Sequence, residues 1–201
     1  TLNRVTGDQV SVLLGRMDAN GQVFLINPNG ILIGDGAQID VGGLIASTAN
    51  IHGQNFMAGR LLFDDPGKAG AGISSAGVIT AAEGGLVALV APHVRNDGLI
   101  QARLGRVVLG AADTFSLDLH GDGLVSLAMA DGPSRQLLDE HGQPIRSLVT
   151  QAGEIDTAGG KTVLVTADTA RNVLDSLINM SGIIRADAAV QQGGRILLLA
   201  K

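Results

Sequence analysis

The feature of this sequence that most constrains its fold is a short phrase that the chain repeats four times. Each copy begins with glycine, has isoleucine at its third position and ends with alanine or threonine; the copies are Gly77–Ala81, Gly98–Ala102, Gly153–Thr157 and Gly182–Ala186. A second strand-like phrase follows each copy, at Leu86–Ala91, Arg106–Ala111, Thr162–Ala167 and Arg195–Ala200. Internal repetition of this kind indicates a stack of similar coils.

Alternate positions of the two phrases keep the same chemistry from copy to copy. The first phrase has isoleucine throughout its third position, whereas its fourth position is polar and variable, with Thr80, Gln101, Asp156 and Arg185. In the second phrase we expect one column of inward residues to be Val87, Val107, Val163 and Ile196. Because side chains of a strand alternate between its two faces, such columns indicate strands stacked in register, with about 4.8 Å between neighbours.

These columns predict an all-β fold, a right-handed parallel β-helix built as a single-stranded solenoid with coils of about twenty residues. The earlier part of the chain fits the same architecture less regularly. Its short strands are expected between Asn, Asp and Gly corners, at Val23–Ile26, Ile31–Ile33, Ala37–Val41 and Leu44–Ser47.

Longer spacings between some copies predict insertions outside the coil. Thr114–Leu119 and Leu124–Met129 flank a glycine-rich loop and predict an antiparallel β-hairpin. Pro133–Glu140 predicts a short helical turn, and the nearly helical spacing of apolar residues in Asp168–Met180 predicts a helix. We expect that helix to cover outward apolar positions of the coil, at Val108, Leu164 and Leu197.

Composition excludes several classes of function. The 201 residues include no cysteine, so the chain has no disulfide framework and no thiolate metal site. The net charge of −5 and the absence of Trp and Tyr argue against a nucleic-acid partner. No apolar run is long enough for a transmembrane helix. The chain begins at Thr1 without an initiator methionine, and we interpret it as an excised segment that is truncated at its N-terminus.

The sequence offers little for catalysis or metal binding. The four histidines, at positions 52, 93, 120 and 141, lie singly near glycine, proline or asparagine, which is typical of loop histidines. Acidic pairs such as Asp64–Asp65 lie in polar turns, without the aromatic groove that glycosidases generally use. We therefore expect no catalytic residue, no metal site and no cofactor.

The most specific local motif is the Asn27-Pro28-Asn29-Gly30 turn between two strands. Pro28 sets φ for the first central turn position, and the Asn27 side chain can bond back to the turn backbone. Asn29 tolerates the next position, and Gly30 accepts a positive φ. On these residues alone, the motif is equally explained as a well-built structural corner.

Longer blocks around this turn carry a family resemblance. The blocks Asn3–Gly7, Asn20–Gly30 and Gly36–Thr48 closely resemble the haemagglutination-activity, or two-partner-secretion, domain at the N-terminus of filamentous-haemagglutinin-like exoproteins. Asp122–Leu127 and Ala167–Asn179 resemble later segments of the same domain. The resemblance covers nearly the whole chain, so we expect residues 1–201 to form a single domain of a much larger exoprotein.

The resemblance implies a secreted or surface protein of a Gram-negative bacterium. Such a protein crosses the inner membrane by the general secretory route, and the periplasmic domains of an outer-membrane β-barrel transporter then capture its N-terminal domain. The family's secretion motif maps onto Asn27, Pro28, Asn29 and Gly30, and secondary family-motif positions are Asn3, Arg4, Val5, Thr6 and Gly7. An earlier Asn-Pro-Asn-Leu motif, frequent in the family, is absent from this sequence.

We interpret the chain as a non-enzymatic module that targets a large adhesin for secretion and nucleates its fold. Its expected partners are the outer-membrane transporter and downstream β-helix repeats of the same chain, which an open coil end would template. One alternative is that the domain is itself adhesive and binds a carbohydrate, or a glycan or protein receptor of the host cell or matrix. A third interpretation is a β-helical polysaccharide-active enzyme.

Overall fold

A computed structural model describes residues 1–118, 125–128, 147–166, 176–185, 188–192 and 195–199. Within these ranges the chain is almost entirely β-structure, with a single short helix, α1 (Gly53–Met57). The strands, in chain order, are β1 (Leu2–Arg4), β2 (Ser11–Leu13), β3 (Arg16–Ile26), β4 (Ile31–Ile33), β5 (Gln38–Ser47), β6 (Leu61–Phe63), β7 (Gly72–Ser75), β8 (Val78–Ala81), β9 (Leu86–Ala91), β10 (His93–Asn96), β11 (Leu99–Gln101), β12 (Arg106–Ala111), β13 (Thr114–Leu117), β14 (Val125–Ala128), β15 (Ser147–Gln151), β16 (Glu154–Asp156), β17 (Lys161–Thr166), β18 (Ser176–Met180), β19 (Ile183–Arg185), β20 (Ala188–Gln192) and β21 (Arg195–Leu199).

The strands form a parallel β-helix, as the repeats predict. The first face stacks β8, β11, β16 and β19 on the first half of β5, and the second stacks β9, β12 and β17 on its second half. The third face is a separate six-stranded sheet in the order β18-β15-β10-β7-β4-β2. The long strands β3 and β5 join the first two faces because each continues across the corner between them.

The predicted isoleucine column is present and begins earlier than the repeats do. Met17, Ile39, Ile79, Ile100, Ile155 and Ile184 are register partners on successive strands of the first face. From Ile39 to Ile155 these side chains are almost fully buried in the interior of the coil. Each coil therefore buries its isoleucine against the one below, which is the interior contact that the sequence columns predicted.

The inward column of the second phrase differs from the prediction by one residue in the third copy. Val87 pairs with Val107, but Val107 pairs with Thr162 rather than Val163. Val163 and Val165 therefore point outward, and Leu164 joins the interior cluster instead of lying outside. The structural register agrees with the spacing from the first phrase, because Lys161 follows Ile155 by as many residues as Arg106 follows Ile100. Thr162 can occupy the inward position because it is β-branched and has the shape of valine.

The predicted hairpin forms part of a small outer sheet. β13 pairs antiparallel with β14, and β6 adds to the other edge of β13. This sheet covers an outer apolar cluster on the second face that includes Phe24, Ile45, Val90, Val108 and Val163. The rings of Phe63 and Phe115 stack there with centroids 4.2 Å apart and planes at 8°. Among the described residues, the cover over Val108 is thus supplied by strands and not by the expected helix.

Two other expectations for the insertions have different outcomes. Residues 176–180, the end of the predicted 168–180 helix, form strand β18, which pairs in parallel with β15. The helix prediction is wrong there because stacking on an existing strand outweighs a short helical period. Residues 168–175 and the Pro133–Glu140 turn lie outside the described residues.

The direction of the last repeat also differs from the prediction. The repeat at Arg195–Ala200 predicts a parallel strand, but β21 pairs antiparallel with β17.

Two columns of glycine mark the corners where coils touch through their backbones. A Cβ atom built on Gly98 would lie 2.1 Å from the carbonyl oxygen of Gly77, and one built on Gly153 would lie 2.0 Å from that of Gly98. The second column repeats the contact, since a Cβ on Gly160 would lie 2.1 Å from the oxygen of Gly105. No side chain fits at these distances, which explains why each repeat begins with glycine.

We expect Gly98→Ala to lower the free energy of unfolding by about 3 kcal/mol, because the new Cβ forces two coils apart. Gly21→Ala is the matched control, since a Cβ on Gly21 meets no atom within 4 Å. Urea titrations of both variants followed by circular dichroism measure the difference. Equal midpoints for the two variants would contradict the close-contact explanation.

We expect Phe115→Ala to lower the free energy of unfolding by about 3–5 kcal/mol, because it removes one ring of a buried stacked pair. Leu62→Ala on the adjoining strand is the control, since Leu62 is 42% exposed and should cost much less. Thermal unfolding of the two variants tests whether the outer sheet is part of the folded core. If Phe115→Ala unfolds like the control, the outer sheet contributes little to stability.

Candidate functional site: the Asn27–Gly30 corner

The Asn27–Gly30 motif forms the corner that connects β3 on the second face to β4 on the third. The N–H of Gly30 donates to the carbonyl oxygen of Asn27 at 3.1 Å and closes a four-residue turn. The φ of Gly30 is +118°, in the range that favours glycine, and a Cβ there would lie 3.1 Å from the carbonyl oxygen of Gly72. The backbone conformation therefore favours glycine at this position, and the neighbouring coil leaves little room for a Cβ.

The side chain of Asn27 is fully buried and connects the corner to an earlier segment of the chain. Its Nδ2 donates to the carbonyl oxygen of Gln9 and to the Oγ of Ser11, each at 2.9 Å. Its Oδ1 accepts from the N–H of Asn29 at 2.9 Å, the side-chain-to-backbone bond that the sequence predicted. One amide thus holds both the turn and the chain that enters β2.

Asn29 repeats this arrangement from a more exposed position. Its Nδ2 donates to the carbonyl oxygens of Gly7 at 2.9 Å and Gln9 at 3.2 Å, and to the Oδ1 of Asn27 at 2.8 Å. The two asparagines therefore form one hydrogen-bonded unit with the backbone of residues 7–11. We call this unit, residues 7–11 and 27–30 together, the asparagine corner.

The secondary family-motif positions lie beside this corner. β1 pairs in parallel with β3, so that Asn3 is opposite Leu25 and Arg4 is opposite Ile26. The N–H of Val5 donates to the carbonyl oxygen of Ile26 at 2.9 Å, immediately before Asn27.

Side chains of the same motif make further contacts. Asn3 Nδ2 donates to Phe24 at 3.3 Å, and the Arg4 guanidinium donates to the carbonyl oxygen of Ile51. Gly7 joins the two motifs because its carbonyl oxygen accepts from Asn29, whereas Thr6 is exposed. The structure therefore brings the two predicted groups of site residues together.

The next coil supports the corner from the other side. The N–H of Asn27 donates to the carbonyl oxygen of Ser47 at 3.0 Å, and the N–H of Lys68 donates to that of Pro28 at 2.8 Å. A Cβ on Gly67 would lie 2.6 Å from the oxygen of Thr48 and 3.1 Å from that of Pro28. Sequence analysis missed these contacts, and also Gln9 and Ser11, because most of them use backbone groups that every residue carries.

An apolar row borders the asparagine corner on β2 and its flanks. Val10, Val12 and Leu14 alternate along the chain and are 49%, 54% and 66% exposed. Val10 approaches the corner closely, since a Cβ on Gly30 would lie 3.8 Å from its Cγ1. β2 is also an edge strand, with β4 as its one neighbour among the described strands. We call Val10, Val12 and Leu14 the apolar row.

Asp8 carries an exposed carboxylate at the corner, and the charge of Lys68 acts on it. Gln9 Nε2 donates to Asp8 Oδ1 at 3.0 Å, and this hydrogen bond lowers the pKa of Asp8 below its ordinary value.

The two histidines among the described residues lie in different environments. His52 lies 3.7 Å from Asp64 and His93 is buried, while His120 and His141 fall outside the described residues. Within the described ranges, no three His, Asp or Glu side chains come together as a metal site would need. The one helix in that part of the chain is not long and apolar enough to span a membrane.

Comparison with known proteins identifies the fold and the family. The TPS secretion domain profile matches residues 1–200. A heme/hemopexin-binding protein of Haemophilus influenzae is 32% identical over 161 residues, which cover 76% of this chain and 17% of that protein. The chain thus spans about a sixth of the length of this relative.

A solved structure extends the match to three dimensions. The crystal structure of the HMW1 secretion domain from Haemophilus influenzae superposes with a TM-score of 0.69 at 28% sequence identity. The superposition covers 90% of this chain and 51% of that one. The family is one of secretion domains of adhesin-type exoproteins and not an enzyme family. The chain belongs to the TPS, or two-partner-secretion, secretion-domain family and is a secretion-targeting module of a secreted or cell-surface protein.

Proposed function

We propose that this domain directs export by presenting the asparagine corner and the apolar row to the periplasmic domains of an outer-membrane β-barrel transporter. The observation that carries the proposal is the buried Asn27 amide, which fixes the exposed residues 7–11 against the turn. In this route the chain reaches the periplasm first and then crosses the outer membrane. In this proposal, the residues of the secretion motif act indirectly, because their hydrogen bonds fix the conformation of residues 7–11.

The burial of Asn27 separates two roles within the motif. Asn27 is 0% exposed, so its side chain positions other residues and makes no direct contact with a partner. Pro28 and Asn29 are half-buried, while Asp8, Gln9 and Val10 are exposed. Direct contact with the transporter is therefore assigned to these outer residues, with Asn27 and Gly30 as positioning residues.

The apolar row suggests how the transporter is engaged. An edge strand presents unpaired backbone N–H and C=O groups, and a partner strand can pair with them while its side chains meet the exposed row. The row Val10, Val12 and Leu14 offers alternating apolar side chains for such a contact. Contiguous exposed apolar surface often marks a site of interaction with another protein.

The second part of the proposal is that the domain nucleates the fold of the chain that follows it. Each coil of a solenoid contacts its neighbours only, so folding can begin in one block and propagate coil by coil. The buried isoleucine column and the glycine contacts make this block a stable first template. Folding outside the cell would then bias transport outward.

We expect Asn27→Ala to reduce export of the natural protein by about tenfold or more. Loss of the amide removes the donor to the Ser11 hydroxyl and leaves the Gln9 carbonyl with only the longer bond from Asn29, at 3.2 Å, which costs the corner about 1–3 kcal/mol. Asn20→Ala is the matched control, because Asn20 is exposed at another corner. The measurement is the fraction of protein in the culture medium when the protein is expressed with its transporter.

A companion variant separates recognition from stability. Asp8→Ala/Gln9→Ala removes two exposed side chains but keeps the Gln9 carbonyl that Asn27 binds. We expect its melting temperature to match that of the unmodified domain while export falls several-fold. If both this variant and Asn27→Ala leave export unchanged, the Asn27–Gly30 motif is a structural corner only.

We expect Val12→Asp to impair export with little effect on stability, because Val12 is 54% exposed and a charge there opposes apolar contact. Val78→Asp is the control, since Val78 is 37% exposed on the first face of the coil. Binding of purified domain to the transporter's periplasmic domains, measured by titration calorimetry, should be lost only for Val12→Asp. Equal binding by both variants would remove the apolar row from the proposal.

A further inference from the structure

The dipeptide Asn-Gly occurs twice in this sequence, at Asn20-Gly21 and at Asn29-Gly30. Asparagine is a chemically labile residue, and a following glycine exposes it most, because glycine has no side chain to shield its backbone nitrogen. The two copies therefore have similar intrinsic reactivity. The structure around each copy decides whether it reacts.

Asn-Gly dipeptides react by spontaneous deamidation. The backbone nitrogen of glycine attacks the side-chain carbon Cγ of asparagine, and the new C–N bond closes a succinimide ring. The bond from Cγ to Nδ2 breaks, and this nitrogen leaves as ammonia with the proton of the glycine N–H. Water then adds to either carbonyl group of the ring and opens it to aspartate or isoaspartate. The reaction consumes one water and needs no other reactant.

The first copy, Asn20-Gly21, lies in an irregular part of β3. The register of β3 on β5 shifts at this dipeptide, which forms a bulge without register partners. Both residues are exposed, and a Cβ built on Gly21 would meet no atom within 4 Å. Among the described residues, the Asn20 amide has no hydrogen-bond partner. Ammonia can therefore leave this copy, and water can enter, without breaking any contact of the side chain.

The second copy, Asn29-Gly30, has its leaving group held by the asparagine corner. Asn29 Nδ2 donates to the carbonyl oxygens of Gly7 at 2.9 Å and Gln9 at 3.2 Å. It also donates to Asn27 Oδ1 at 2.8 Å. Departure of this nitrogen as ammonia breaks all of these hydrogen bonds.

The corner also restrains the attacking nitrogen and leaves the intermediate unsupported. The N–H of Gly30 donates to the carbonyl oxygen of Asn27 at 3.1 Å, so the nucleophile is engaged in the turn. Attack on Cγ places negative charge on Asn29 Oδ1, which is buried and accepts no hydrogen bond from the described residues. A charge that develops at a buried oxygen without donors is unfavourable, which raises the barrier.

We propose that Asn20-Gly21 is a site of spontaneous deamidation in the folded domain, and that the asparagine corner protects Asn29-Gly30 from the same reaction. Each event at Asn20 adds a negative charge to a net charge of −5. In a chain whose corner is open, reaction at Asn29 replaces a donor amide by a carboxylate, which only accepts hydrogen bonds. That carboxylate would face the carbonyl oxygens of Gly7 and Gln9, so the corner could not close again.

Incubation of the 201-residue chain in water labelled with heavy oxygen measures both sites at once, because the water that opens the ring leaves its oxygen in the product. Chymotrypsin cleaves after Phe24 and so places the two dipeptides in different peptides for mass spectrometry. In the folded chain we expect Asn20 to react about tenfold or more faster than Asn29, since reaction at Asn29 breaks several hydrogen bonds. In urea at the same pH, where the corner is open, the two rates should become similar.

Variants separate the contribution of the corner from that of the dipeptide. Asn27→Ala should raise the rate at Asn29 about tenfold and leave the rate at Asn20 unchanged, with circular dichroism to verify folding. Ser11→Ala removes one acceptor of the Asn27 amide and is the milder variant, with a smaller increase expected. Gly21→Ala is the matched control, because its Cβ has space and shields the backbone nitrogen, so that only the reaction at Asn20 is suppressed.

Four results would overturn the proposal. The first is an equal rate at the two asparagines in the folded chain. The second is a rate at Asn29 that is the same in the folded chain and in urea. The third is an unchanged rate at Asn29 in both Asn27→Ala and Ser11→Ala. The fourth is continued reaction at Asn20 in Gly21→Ala, which would exclude attack by this nitrogen. None of these measurements involves export, so their outcome is distinct from that of the transporter experiments.

Discussion

The close contact between glycines of successive coils is the constraint on which the rest of this structure depends. At two corners of the repeated coils, the carbonyl oxygen of one glycine lies 2.0–2.2 Å from the position where the next glycine would carry its Cβ. That contact sets the distance between successive coils at their corners. This distance allows the strands between the corners to pair in register from one coil to the next. The isoleucine column and the outer apolar cluster follow, because both need each residue directly above its counterpart.

The asparagine corner solves the same problem with different chemistry. At this position the chain connects faces where the neighbouring segment, residues 7–11, has no repeat pattern of its own. Asn27 and Asn29 replace the regular backbone ladder with side-chain amides that bind carbonyl oxygens of Gly7 and Gln9. Hydrogen bonds, and not buried apolar side chains, thereby hold an exposed segment in one conformation.

Sequence reasoning succeeded where one residue type reports one environment. Isoleucine at the third position marked the interior of the first face, and the Asn-Pro-Asn-Gly order predicted the turn and its side-chain bond. It failed where two residue types of similar shape could occupy the same buried position. It also failed where the spacing of apolar residues was compatible with both a helix and a strand. Thr162 has the shape of valine and took the inward site assigned to Val163, while the apolar spacing near residue 178 suited a helix but formed strand β18.

By itself, the sequence determined that this chain stacks parallel strands around glycine corners, because glycine recurs where a Cβ would meet the backbone of the next coil and isoleucine recurs at the buried position of the first face. The tertiary structure alone decided which segments meet at the asparagine corner, since Gln9, Ser47 and Lys68 take part through backbone atoms that leave no trace in the sequence. It also decided the direction of β21, which pairs antiparallel with β17 although the repeat in the sequence predicted a parallel strand. Backbone hydrogen bonds and strand direction depend on what is adjacent in space, and that is set only when the coils close on one another.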